Sequence, residues 1–178
     1  MKLRYKISGA LLAVFVMALA WLGWFVSHDN DCVPAAKPGE DEASMAAIRH
    51  GCFGGPEVLE LARVTKPVAA ADEILVRVEA AAVNPLDWHY LRGTPYIMRL
   101  MGAGIGTPAD MRLGADFAGV VEAVGEQVET FRVGDRVFGG SSGAFAEYVA
   151  VGADSAVIKV PQGLSLEEAC DQAWQIEV

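Results

Sequence analysis

Two glycine-bearing stretches are the first candidates for chemistry. In GAGIG, Gly102 to Gly106, the spacing comes close to a dinucleotide cradle. That cradle works because glycines let backbone amides approach a diphosphate between a strand and a helix. Here IMRLM precedes the glycines, Thr107-Pro108 follows, and a third glycine at the fingerprint spacing is missing. The second stretch, GADFAGVVEAVG from Gly114 to Gly125, reads as a strand with one glycine before it, one inside it and one after it. Gly119 inside the strand marks a bulge or a close backbone approach. No Gly-Lys-Ser or Gly-Lys-Thr occurs, so the phosphate-binding P-loop is absent. His28, His50 and His89 lie far apart, and none stands at metal-ligand spacing from a cysteine. Cys32, Cys52 and Cys170 form no CxxC pair and no disulfide framework that spacing specifies.

The elements around these stretches point to a mainly β domain. MAAIRH from Met45 is short and half apolar. GGPEVLELARV opens on a Gly-Gly-Pro turn and continues as a strand. DEILVRVEAAAV alternates, with Ile74, Val76, Val78 and Ala80 on one face and Leu75, Arg77 and Glu79 on the other. Pro85 breaks that strand, and LDWHYLRG reads as a short helix ending at Gly93, with Asp87 a helix-start acid and Trp88 and Tyr90 packing residues. Residues 94–113 are irregular and read as a long loop, a type of segment that often carries function. FAGVVEAV, RVFGG and AFAEYVAV follow as strands, with a turn at Gly134-Asp135. Ser165 to Glu168 is a capping box that starts a helix.

The N-terminus differs in kind. The run Ile7 to Val26 has no charged residue, and as a helix it would reach roughly 30 Å, the thickness of a bilayer core. Lys2, Arg4 and Lys6 precede it, and Trp21 and Trp24 lie near its far end. The expectation is an uncleaved transmembrane anchor through residues 7–26, with a cleaved signal peptide ending near Ala18-Leu19-Ala20 as the alternative. The positive flank predicts the N-terminus inside and the rest on the outer side. Residues 27–44 read as a polar linker that lifts the next unit away. With a net charge of −9, the chain is unsuited to nucleic acid.

GGPEVLEL, VNPLDWHYLRG, GADFAGVVEAVG, VGDRVFGG and AFAEYV, in this order, resemble the N-terminal half of medium-chain dehydrogenases/reductases. Within them the likeness is to the zinc-free quinone oxidoreductase branch. It covers about residues 45–169. The resemblance implies a mainly β fold, a GroES-like, partly open β-barrel with short helices, here preceded by one transmembrane helix. The expected layout is an anchor over 1–26, a linker over 27–44, the GroES-like domain over 45–165 and the start of a linking helix over 166–178. The dinucleotide-binding Rossmann domain is missing from this layout. The chain is then a fragment, a shortened product, or one half of a pair with a partner chain.

The resemblance also implies chemistry. The cofactor would be NADPH or NADH, bound weakly at most by this chain alone, and the reaction hydride transfer to a quinone, enone or other carbonyl compound. Val83-Asn84-Pro85 and Gly114-Ala115-Asp116 stand where zinc-dependent relatives carry a cysteine ligand and a Gly-His-Glu motif, so zinc is not expected. Asn84 matches an asparagine near the nicotinamide ring. His89 departs from an aromatic residue usual there, and Tyr96 lies one residue from a tyrosine position of some relatives. Asn84, His89 and Tyr96 are therefore the candidate donors to a developing oxyanion, and His89 and Tyr96 the candidate proton donors. Asp116 and Phe117 are expected to line the substrate cleft. For Asn84 the alternative is a turn residue before proline. A non-catalytic anchored β-domain that binds a partner or small molecule is the alternative for the whole chain.

Overall fold

The computed structural model describes residues 2–173, with side chains from Leu11 onward. A long helix, α1 (Lys2–Ser27), leads into two antiparallel sheets. The first sheet pairs β1 (Ser44–His50) with β2 (Leu59–Thr65). The second has the order β6-β3-β4-β5-β7, built from β3 (Glu73–Ala82), β4 (Asp116–Val124), β5 (Arg136–Gly140), β6 (Tyr148–Gly152) and β7 (Val157–Lys159). Two short helices, α2 (Pro85–Arg92) and α3 (Leu166–Cys170), complete it. The barrel is partly open. β1 is joined to the rest through single bridges, Ala47 to Ala146 and Arg49 to Arg112, and through amide bonds such as Ile48 to the Phe145 carbonyl.

The alternating strands bury as their period demands. Ile74 and Val76 of β3, Phe117 and Val121 of β4 and Val137 of β5 form the core with the valines of β6 and β7. Each such buried side chain contributes about 1.5–3 kcal/mol. The other face of β4 and β5, through Ala118 and Phe138, is covered by Leu166, Ala169 and Cys170 of α3. Gly93 ends α2 in the left-handed region and Ser165 with Glu168 starts α3, as expected, and Asn84, read as a turn residue before proline, caps the start of α2. AFAEYVAV is not one strand. The Glu147 amide donates to the Ala46 carbonyl of β1, its carboxylate accepts the Ala46 amide at 2.7 Å, and the strand paired with β3 begins at Tyr148.

Gly119 sets the spacing of the central pair. A Cβ there would lie 2.1 Å from the Arg77 carbonyl oxygen, which is backbone and has little freedom to move away. The pairing of β3 with β4 slips by one residue on either side of this point, between Leu75 and Val76 and between Val78 and Ala80. Both slips are β-bulges that increase local twist.

Three expectations for the N-terminal part are corrected. Among the described residues no helix is long and apolar enough to cross a membrane. The transmembrane segment over 7–26 and the outer-side placement built on it therefore do not stand. Nor does the following polar stretch stand off as a free linker. The Asn30 amide donates to the Gly106 carbonyl at 2.8 Å and the Val33 amide to Gly51 at 2.9 Å. Cys32 and Cys52, which spacing left unpaired, form a disulfide that fastens this stretch to the end of β1.

Arg99 completes the attachment. Its guanidinium is buried, donates to the carbonyls of Gly93, Val26 and His28, and pairs with Asp29 at 2.8 Å. It also lies 4.2 Å from the Phe53 ring. One side chain thus satisfies orphaned carbonyls at the end of α1 and holds the loop after α2.

Replacing Gly119 by alanine should destabilise the chain by about 1–3 kcal/mol, because the strands must separate to admit the methyl. Urea unfolding followed by circular dichroism measures this, and an unchanged midpoint would contradict the close approach.

Candidate functional site

The pairing of β3 with β4 creates the site. Ala82, at the end of β3, lies opposite Asp116, at the start of β4. The chain leaves β3 through Val83 and enters α2 at Asn84, so Asn84 arrives beside Asp116. The Asn84 Nδ2 donates to the Asp116 carboxylate at 2.6 Å, and its Oδ1 accepts the Leu86 amide at 2.7 Å. The side chain is a helix cap and a cross-strand link at once. An amide carries two N–H donors, so one remains beyond the bond to Asp116.

Asp87 closes the arrangement. It is buried, and its carboxylate accepts the Asn84 backbone amide at 2.9 Å. Burial pushes its carboxyl above the ordinary range, the nearby Asp116 adds to this, and the backbone amides oppose it. The helix-start role expected of Asp87 is present as the second half of the capping box at Asn84.

A cavity of about 1210 Å³ opens beside this cluster. Val83, Pro85, Leu86 and Tyr90 give it an apolar side, and Asn84, Asp87 and Asp116 a polar end. Asp110, Arg112 and Ser142 form another part of the wall. Arg112 donates to Asp110 through Nε and Nη2, and Ser142 donates to the same carboxylate at 2.7 Å. Burial raises the Asp110 pKa, but the bonds from Arg112 and Ser142 outweigh it and hold the group at about 2.

The expected residues divide. Asn84 and Asp116 meet at the cavity. Phe117 does not line it: successive strand residues alternate faces, and this ring is fully buried among Ile74, Val76 and Val121. His89 is not among its lining residues either, and its Nδ1 bonds the Thr94 carbonyl at 2.7 Å just past the end of α2. Tyr96 stands half-exposed outside it, with the Arg99 guanidinium 5.0 Å from its ring. Tyr90, expected to pack, is half-exposed and lines the cavity, while Trp88 is exposed beneath Arg92. Asp110, Arg112 and Ser142 gave no sequence signal, because their meeting depends on a loop fold without periodicity.

Among the described residues no group of three or more histidine, cysteine or acidic side chains is placed to hold a metal ion. The glycines of GAGIG serve turns. Gly104 packs on the backbone of Thr107 to Ala109, and Gly106 on the Asn30 side chain. Cys170 is buried, and burial pushes its thiol up to about 11.

Residues 70–162 match the alcohol dehydrogenase GroES-like domain family. The chain belongs to that family. Its relatives place it among the medium-chain dehydrogenases/reductases, on the quinone oxidoreductase side. It is 42% identical over 127 residues to a quinone oxidoreductase of Sus scrofa and 40% identical over 127 residues to one of Homo sapiens. In each case the match covers 70% of this chain and 36% of the relative, so the chain spans about a third of their length. Among solved structures, the quinone oxidoreductase of Coxiella burnetii superposes with a TM-score of 0.63 at 28% identity, covering 72% of this chain and 40% of that one. A mycobacterial protein solved in complex with NADPH gives a TM-score of 0.59 at 32% identity, covering 71% of this chain and 36% of that one. In this GroES-like domain, then, the cluster at Asn84 lies where β3, β4 and α2 meet.

The low pKa of Asp110 has a consequence for stability. Its folded value of about 2 lies below its ordinary 3.8, so its stabilisation is full above about pH 4 and is lost as pH falls toward 2. Asp110→Asn should therefore lower the melting temperature at pH 7 by a few degrees and bring the two proteins together near pH 2. Thermal melts at both pH values test this, and an equal difference at both would count against it.

Proposed function

We propose that this chain supplies the substrate side of an NAD(P)H-dependent, zinc-independent oxidoreductase that reduces quinones, enones or related carbonyl compounds. The observation that carries the proposal is the Asn84 amide, held by Asp116 and the α2 amide at the polar end of a large, partly apolar cavity. Its relatives' description as quinone oxidoreductases supports it, as does the NADPH complex of a structural neighbour. The absence of zinc in the proposal rests on residue types: Asn84 and Ala115 stand where zinc-dependent relatives of the resemblance carry ligands.

The nicotinamide, when bound, supplies the hydride. The residues present suit only its ring end. The remaining N–H of Asn84 is a donor for an oxygen that gains negative charge, and it costs little reorganisation because two bonds already fix the side chain. Val83, Pro85, Leu86 and Tyr90 offer apolar surface to a ring substrate, and Asp87 and Asp116 disfavour an anionic one. Tyr90, which lines the cavity, takes the proton-donor role in this proposal in place of His89 and Tyr96, which do not line it. Nothing among the described residues cradles a diphosphate. A dinucleotide-binding unit, in the same polypeptide or a partner chain, is therefore part of the proposal.

The test is NADPH oxidation with 1,4-benzoquinone, by this chain alone and co-expressed with the dinucleotide-binding domain of a homologous quinone oxidoreductase. Activity is expected only in the second case. Asn84→Ser keeps a helix cap but removes the amide donor, so it should cost about 1–3 kcal/mol of stability through the lost bond to buried Asp116 and lower kcat of the folded protein by about 10²-fold. No activity with the added domain, or full activity in Asn84→Ser, would count against the proposal and favour a non-catalytic binding domain.

A further inference from the structure

A second cavity, of about 460 Å³, shares Ala109, Asp110, Arg112 and Ser142 with the large one. Met45, Ala47 and Arg49, alternate residues of β1, form one side, with Tyr148 and Val149 of β6 and Ala36 of the preceding segment around it. Met45, Ala47 and Val149 are buried apolar residues. The volume lies within the range of small-molecule sites, and a mostly apolar wall with a few polar groups is their usual composition.

The charges on this wall are unbalanced. Arg49 and Arg112 line it with Asp110 as the one carboxylate, within a chain whose net charge is −9. Arg49 and Arg112 are directly opposite across an antiparallel bridge. Like charges so placed repel unless something neutralises them. Arg112 is neutralised by Asp110 through both Nε and Nη2. Arg49 forms no ion pair among the described residues. Its partner across β1 and β2 is Glu60, an exposed residue that neither reaches ion-pair distance nor lines the cavity.

We infer that this cavity is a second ligand site, taking a small organic carboxylate whose apolar body rests on Met45, Ala47 and Val149 and whose carboxylate is bound by Arg49. A carboxylate suits the site because the planar guanidinium fork binds it through two parallel hydrogen bonds. Phosphate would match the charge but leave the apolar wall uncovered. The inference does not depend on the oxidoreductase proposal. Glu60, opposite Arg49 across β1 and β2, is its competitor, and a bound carboxylate must displace any contact that Glu60 makes in solution.

The test uses the full chain and benzoate as probe, with benzamide as its neutral counterpart, by isothermal titration and by chemical-shift changes of labelled protein. Benzoate should saturate with a Kd on the order of 1 mM, as suits a ligand of this size, and shift signals of β1 and of residues 109–112. Benzamide should bind about tenfold more weakly, a comparison that needs no variant. Arg49→Gln should weaken benzoate about tenfold, and Glu60→Gln should leave it equal or tighter. The inference is overturned if benzoate fails to saturate by about 50 mM. Equal binding of benzamide, or unchanged benzoate binding in a folded Arg49→Gln protein, would overturn it as well.

Discussion

The close contact between β3 and β4 is the constraint on which the rest depends. At Gly119 the strands approach so nearly that any side chain would strike the Arg77 carbonyl. Bulges on either side of that point set the register, and the register places Ala82 opposite Asp116. Because side chains alternate along a strand, the same register sends Phe117 into the core and leaves Asp116 at the cavity. A slip of one residue would exchange them. The core and the candidate site are consequences of one pairing.

Asn84 shows how a local signal acquires a further role through that pairing. As a residue before proline at the start of a helix, it has a complete local explanation, and the cap confirms it. The cap uses the amide oxygen. The nitrogen is left for Asp116, thirty-two positions away in sequence. The turn reading and the site reading of this residue are thus compatible, since different atoms serve each. Asp87 completes the same cap, its carboxylate accepting the Asn84 backbone amide.

At the N-terminal side, Arg99 and the Cys32–Cys52 disulfide convert a polar stretch into a strap across the domain. Burial of a guanidinium is costly unless its donors are met, and here carbonyls of Gly93, Val26 and His28 and the carboxylate of Asp29 meet them. The strap continues toward Ala36, which borders the smaller cavity. Charged groups on the loop side follow a similar logic: Asp110 neutralises Arg112 and leaves Arg49 as the free cation of that wall among the described residues.

Sequence alone determined most of the strands, the helix end at Gly93, the cap at Ser165 and the turn at Gly134, because each depends on neighbours within a few residues; at Gly119 it left a bulge or a close approach open, and the pairing with Arg77 supplied both. Five motifs in order also determined the family. Periodicity, however, says which face a residue takes only relative to its own strand. It could not tell that Phe117 turns inward, that His89 and Tyr96 lie off the cavity, or that Tyr90 lies on it. The disulfide, the Arg99 clamp and the Asp110–Arg112–Ser142 cluster were invisible for a related reason. Their partners come from loops and from segments far apart in the chain, where no repeating pattern links one residue to the next. Only the tertiary structure, through strand register and the packing of those loops, decided which of them meet.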